Sequence, residues 1–140
     1  MRFIQALLSF VGRALLVAIF LASALNHVQK FNGITEAVAA QGVPEPKIAH
    51  IVAVAFMFIG GVSVLLGFWA RLGALLLALF LGAATFYFHA FWKLPTDSPE
   101  FEQQMIHAMK NVAILGAMVM IIANGPGAGA VDKRKVTLEV

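Results

Sequence analysis

The chain has 140 residues, ten Lys and Arg against seven Asp and Glu, a formal net charge of +3 and no cysteine. Its residues are 61% hydrophobic and only 12% charged, about half of the roughly 25% charged residues of a soluble domain, so the surface of a water-soluble globule is missing and a lipid-facing one is expected. The length fits one domain. The lack of cysteine excludes disulfides, thiolate metal sites and thiol redox cycling, and the scattered basic residues form no stripe for nucleic acid.

Arg2 and Arg13 precede a short apolar run over residues 14–25, and Ala22-Ser23-Ala24 within it resembles a small-residue cleavage site. It is read here as a retained membrane helix over about residues 13–31, with residues 3–12 extending it by an interfacial turn or two. The following segment carries Gly33, Gly42, Pro44 and Pro46, and a short surface helix over residues 35–41, capped by Thr35, is expected in it. Residues 48–68 and 72–92 hold no formal charge and each have the roughly 20 apolar residues that a span requires. The tight link Trp69-Ala70-Arg71 makes these two spans antiparallel neighbours. After a loop with Pro95, Asp97 and Pro99, Ser98 is a good helix cap, Pro99 suits the first turn, and Glu100 and Glu102 favour the positive end of the helix dipole. The last span covers residues 105–123 and stops at Asn124-Gly125-Pro126-Gly127, leaving a tail over residues 124–140. The expected fold is all-α: a single-domain polytopic membrane protein, a four-transmembrane-helix antiparallel (up-down-up-down) bundle.

Loop charge suggests the direction. With both termini cytoplasmic, Arg2, Arg13, Arg71, Lys133, Arg134 and Lys135 lie inside, and Lys30, Lys47, Lys93 and Lys110 outside, a split that favours this orientation by the positive-inside rule. Small residues recur at helical spacing, Gly60, Ser63 and Gly67 on one span and Ala74, Ala78 and Gly82 on the next, as expected where helices approach closely in lipid.

All four histidines fall at the same, outer end of such a bundle: His27 closes the first span, His50 opens the second, His89 ends the third and His107 begins the fourth. Lys30, Trp92, Lys110 and Asn111 accompany them, and His107, Lys110 and Asn111 share one helix face at i, i+3 and i+4. A cation such as Lys110 within a span is expensive unless it snorkels, pairs or lines a wet cavity. Four readings stand open: an interfacial belt of His, Trp, Tyr and Lys; a ligand pocket of His27, Lys30, His89, Trp92, His107, Lys110 and Asn111, for which a quinone headgroup is the natural candidate; a metal or haem site on His27, His50, His89 and His107; and a proton relay. No GxSxG, HExxH, P-loop or dinucleotide motif is present. Gly125-Pro126-Gly127-Ala128-Gly129 follows a helix instead of joining a strand to one, so it is not expected to cradle phosphate. If the chain is an enzyme, it is an oxidoreductase subunit.

Several motifs carry a family resemblance over residues 12–133: the helix end His27-Val28-Gln29-Lys30-Phe31; Gly42-Val43-Pro44-Glu45-Pro46; Gly60-Gly61 with Leu66-Gly67-Phe68-Trp69-Ala70-Arg71; His89-Ala90-Phe91-Trp92; and, most specific, Lys110-Asn111-Val112-Ala113-Ile114-Leu115-Gly116 followed by Gly125-Pro126-Gly127 and Asp132. Together they resemble the DoxX family of small four-helix bacterial membrane proteins. The resemblance implies a place in the bacterial inner (plasma) membrane and, loosely, an association with quinone-linked oxidoreduction. Other membrane or membrane-attached subunits, or a homo-oligomer, are the partners expected besides the bilayer, and a non-catalytic assembly subunit is the alternative. The chain departs from the family at Met57, where many members carry an intramembrane Glu three residues before the position of Gly60.

Overall fold

The computed structural model describes residues 1–132. Lys133, Arg134 and Lys135 and the rest of the expected tail from residue 133 onward lie outside the described residues. Among the described residues the regular structure is entirely helical: α1 (Arg2–Gln29), α2 (Phe31–Ala40), α3 (Pro46–Leu66), α4 (Ala70–Phe88) and α5 (Pro99–Asn124), with one 3-10 turn at Phe91–Lys93. Four of these, α1, α3, α4 with its following turn and α5, are long and apolar enough to cross a membrane. At 1.5 Å per residue, the 21 residues of α3 span about 31 Å, close to the ~30 Å hydrocarbon core of a bilayer. At most 28% of the most apolar window of any span is buried inside the protein, and Leu15, Ile19, Phe58, Leu79, Val112 and Met120 point outward. That inverted surface suits lipid, and the chain is a four-helix membrane bundle.

The closest helix approaches are α1 with α3, α3 with α4 and α4 with α5. Val17, Phe20 and Ala24 of α1, Met57 and Val64 of α3, Ala74, Leu77 and Leu81 of α4 and Met118 of α5 form one core. Small residues set the tightest crossing: a Cβ on Gly60 would sit 2.8 Å from the Gly73 carbonyl oxygen, and a Cβ on Gly73 2.6 Å from Ser63. The close-packed face of α4 is thus Gly73 with Ala74 and Leu77. Gly82, expected on that face, has open space at its Cβ position.

The helix ends explain several boundaries. α1 is already helical at Arg2, so the expected interfacial extension is continuous with the span. α2 starts four residues before Thr35, and the Thr35 hydroxyl donates back to the Phe31 carbonyl (2.8 Å) from within the helix instead of capping it. α3 closes in a Schellman turn, Phe68 N–H to Ser63 O and Gly67 N–H to Val64 O, with Gly67 at φ 68°. α4 stops at Phe88, earlier than the apolar run suggests, and the chain folds over so that Phe91 meets Phe101 edge-on at 5.6 Å. Ser98 caps α5, its Oγ accepting from Phe101 N–H at 3.1 Å.

At the end opposite the histidines, the segment after α5 returns to the bundle. Val131 and Asp132 N–H donate to the carbonyls of Leu66 and Gly67. Arg13, only 4% exposed, reaches the carbonyls of Leu65 (3.3 Å), Pro126 (2.6 Å), Ala128 (3.5 Å) and Gly129 (3.5 Å). The glycine-rich segment therefore presents carbonyl oxygens to a cation, the opposite polarity to a phosphate cradle.

Candidate functional site

The four histidines form two pairs at one end of the bundle. In the first, His27 Nδ1 lies 3.2 Å from His50 Nε2, and His50 Nδ1 lies 2.7 Å from Thr35 Oγ1. Hydrogen-bond logic fixes the proton positions. The Phe31 carbonyl can only accept, so it takes the Thr35 hydroxyl proton. Thr35 Oγ1 then accepts from His50 Nδ1–H, His50 Nε2 accepts from His27 Nδ1–H, and both nitrogens of His50 are satisfied. The half-exposed Phe31 ring stacks on the buried His50 ring at 4.6 Å and 13°. Lys30, one residue before α2, is exposed.

In the second pair, His89 and His107 have ring centroids 5.1 Å apart with a 32° tilt. His89 caps the end of α4 and its Nδ1 lies 2.7 Å from Gln104 Oε1. A carboxamide oxygen only accepts, so Nδ1 carries the proton and Nε2 the lone pair. Gln104 and His107 share one face of α5 at i and i+3. Among the described residues no group of three His, Cys, Asp or Glu could hold a metal ion; the four histidines are divided between the pairs.

Asn111 lies deeper along α5. It is buried, and its Nδ2 donates to Thr85 Oγ1 at 2.9 Å, while the Thr85 hydroxyl donates to the Leu81 carbonyl at 2.7 Å. The one O–H donor of Thr85 is thereby spent. Asn111 keeps one N–H and its carbonyl oxygen without a partner among the described residues. Its side chain lines a recess of about 190 Å³ between α4 and α5, walled by Leu81, Phe86, Trp92 and Leu115 and floored by Thr85, with Gly82 leaving room. Trp92 is tilted against Phe86 at 6.3 Å, and Lys93 Nζ sits 5.6 Å from the Phe86 ring centre. Lys110 is exposed on the outside of α5.

Of the residues singled out from sequence, the structure joins Trp92 with Asn111, His89 with His107, and His27 with His50, while Lys30 and Lys110 face outward. Thr35, read from sequence only as a helix cap, and Gln104 and Thr85 organise these groups and were not among the expected site residues. Only Gln104 carried a signal, its i, i+3 spacing to His107; the other two partners meet across helices.

A family model described as DoxX matches residues 8–90. Inner membrane protein YphA of Escherichia coli (strain K12) is 30% identical over 130 residues, 93% of this chain and 91% of that protein. Inner membrane protein YqjF of the same organism is 28% identical over 123 residues, 88% of each chain. A Surfeit locus protein 4 homolog of Schizosaccharomyces pombe (strain 972 / ATCC 24843) is 32% identical over 72 residues, 51% of this chain and 24% of that protein. No solved structure matches the chain significantly. With its four apolar helices matched along nearly their whole length by YphA, and more than half of its residues by the family model, the chain belongs to the DoxX family of integral membrane proteins.

Proposed function

We propose that this protein is a redox-associated, quinone-linked subunit of the bacterial inner (plasma) membrane that holds a quinone headgroup in the recess between α4 and α5. The observation that carries this reading is Asn111. Asn111 is only 6% exposed and spends one N–H on Thr85 Oγ1; no buried side-chain polar atom of the described residues lacks a partner, so its carbonyl oxygen, which has no protein partner, opens onto the recess where a ligand or water can meet it. Its neighbours are aromatic and aliphatic, and Phe86, Trp92 and Val112 leave the recess open towards the lipid side. A free N–H suits a quinone carbonyl, and a free carbonyl oxygen suits the hydroxyl of a quinol, so one amide serves both redox states. The two outer histidine pairs would then line the polar approach.

The test is thermal unfolding of the purified protein in mild detergent with and without a short-chain quinone. Binding at a hundredfold excess over Kd stabilises by about 2.7 kcal/mol, and Asn111→Leu should abolish that shift. An unfolding temperature that quinone does not move overturns the reading.

A second reading, a non-catalytic assembly subunit, is favoured by Gly116. It lies on the outer face of α5 with open space at its Cβ position, and small residues on such faces admit close approach of another membrane helix. Purification in mild detergent should then yield a stoichiometric partner or a homo-oligomer that Gly116→Leu disrupts. A monodisperse monomer counts against it.

A further inference from the structure

We infer that His89 and His107 form a two-imidazole site for a borderline divalent metal ion, Cu²⁺ or Zn²⁺, with Gln104 as the residue that orients His89. This inference is independent of what the recess takes. Two imidazole nitrogens bound to one ion at about 2.0–2.1 Å place their ring centroids about 4.5 Å apart at a square-planar angle and about 5 Å apart at a tetrahedral one; these rings are 5.1 Å apart, a separation that the His27–His50 pair shares, so the choice between the two pairs rests on their hydrogen bonds.

The protonation pattern agrees. Gln104 Oε1 takes the Nδ1 proton of His89 at 2.7 Å, which turns the Nε2 lone pair into the available ligand. An outer hydrogen bond on the second nitrogen is the arrangement that fixes the tautomer of metal-binding histidines. Neither ring nitrogen of His107 has a hydrogen-bond partner among the described residues, and both rings are half-exposed at the end of the bundle. The other histidine pair lacks this freedom: both nitrogens of His50 are engaged. No third protein ligand is grouped with His89 and His107 among the described residues, so the remaining coordination positions are open to water or an external ligand. Affinity of a given imidazole site for first-row divalent ions peaks at Cu²⁺.

The experiment is a Cu²⁺ titration of the full chain, purified in mild detergent through a histidine-free tag and stripped with chelator, read by isothermal calorimetry and electron paramagnetic resonance. One equivalent should bind, with superhyperfine splitting from two nitrogens. His89→Gln and His107→Gln should each remove one nitrogen and weaken binding at least about tenfold, and Gln104→Leu should weaken it about 10–100-fold, as loss of an outer-shell partner does. Gln104→Glu keeps an acceptor at Nδ1–H and should restore affinity. His50→Gln should leave binding unchanged even where it loosens α2, and the parent's helical circular dichroism in each metal-free variant shows that the bundle is intact. Equal Cu²⁺ binding by the doubly substituted His89→Gln, His107→Gln protein, loss of binding in His50→Gln, or no stoichiometric binding by the parent overturns the inference.

Discussion

A guanidinium inside a membrane helix costs several kcal/mol unless its five N–H donors find oxygen. Arg13 finds it in the carbonyls of Leu65, Pro126, Ala128 and Gly129. Those groups come from the end of α3 and from the segment after α5, so one side chain ties three distant parts of the chain. Each hydrogen bond to a charged group contributes about 1.5–3 kcal/mol. Arg13→Leu should therefore lower the unfolding temperature and speed amide hydrogen exchange at Val131 and Asp132, whose N–H groups bond Leu66 and Gly67. Arg13→Lys keeps the charge but not the planar fork that spans several carbonyls, so its exchange rates should fall between the two. None of this was legible in the sequence, because the partners are backbone atoms 52 residues away at the end of α3 and 113 to 116 residues away after α5. Position along each helix was legible: the hydropathy pattern put all four histidines at one end. Their pairing was not, since it depends on the rotation of each helix about its own axis relative to its neighbours.

At the scale of the elements, the crossing of α3 and α4 depends on two backbones touching. A Cβ on Gly60 meets the Gly73 carbonyl oxygen at 2.8 Å and Leu77 at 2.9 Å, whereas a Cβ on Gly116 meets nothing within 4 Å. Alanine is the better helix former by about 1 kcal/mol, and here the two substitutions have opposite signs. Gly116→Ala should leave stability unchanged or raise it, and Gly60→Ala should lower it by more than that propensity gain, read as the midpoint of unfolding in mixed detergent. The same spacing argument from sequence identified Gly60 and Ser63 on α3, and on α4 the stripe Ala74, Ala78 and Gly82 without Gly73, because a small-residue stripe does not say which of its edges faces the partner helix. The docking of α2 on α3 rests on Thr35 and His50, with Phe31 stacked above. Removing the buried His50 ring takes away the group that joins His27 Nδ1 to Thr35 Oγ1 and on which Phe31 stacks. His50→Leu should therefore expose the linkers on either side of α2 to limited proteolysis while α4 and α5 stay protected. The true start of α2 lay hidden because Thr35 looks like a cap in sequence, and only the helix that begins at Phe31 gives its hydroxyl an acceptor four residues back.

For the whole molecule, the remaining question is which end faces the cytoplasm. The structure puts Arg2, Arg13 and Arg71 towards the end that carries the α3–α4 turn, and the sequence adds Lys133, Arg134 and Lys135 after the last helix. Lys30 lies between α1 and α2, Lys47 in the first turn of α3 and Lys93 in the 3-10 turn, all at the histidine end. The excess is modest, yet orientation follows the bias of Lys and Arg in short loops, while acids contribute little. Both termini should therefore be cytoplasmic, with the His27–His50 and His89–His107 pairs at the outer surface. The chain has no cysteine, so a single introduced thiol reports its own side of the membrane without background. Asp97→Cys and Glu36→Cys, at exposed positions beside the histidine end, should react with a membrane-impermeant maleimide in intact cells. Phe68→Cys, exposed in the α3–α4 turn, should react only after the membrane is opened. The reverse pattern would turn the bundle over and place the histidines and the mouth of the recess on the cytoplasmic side, where a copper ion would meet cytoplasmic thiols, softer ligands than imidazole.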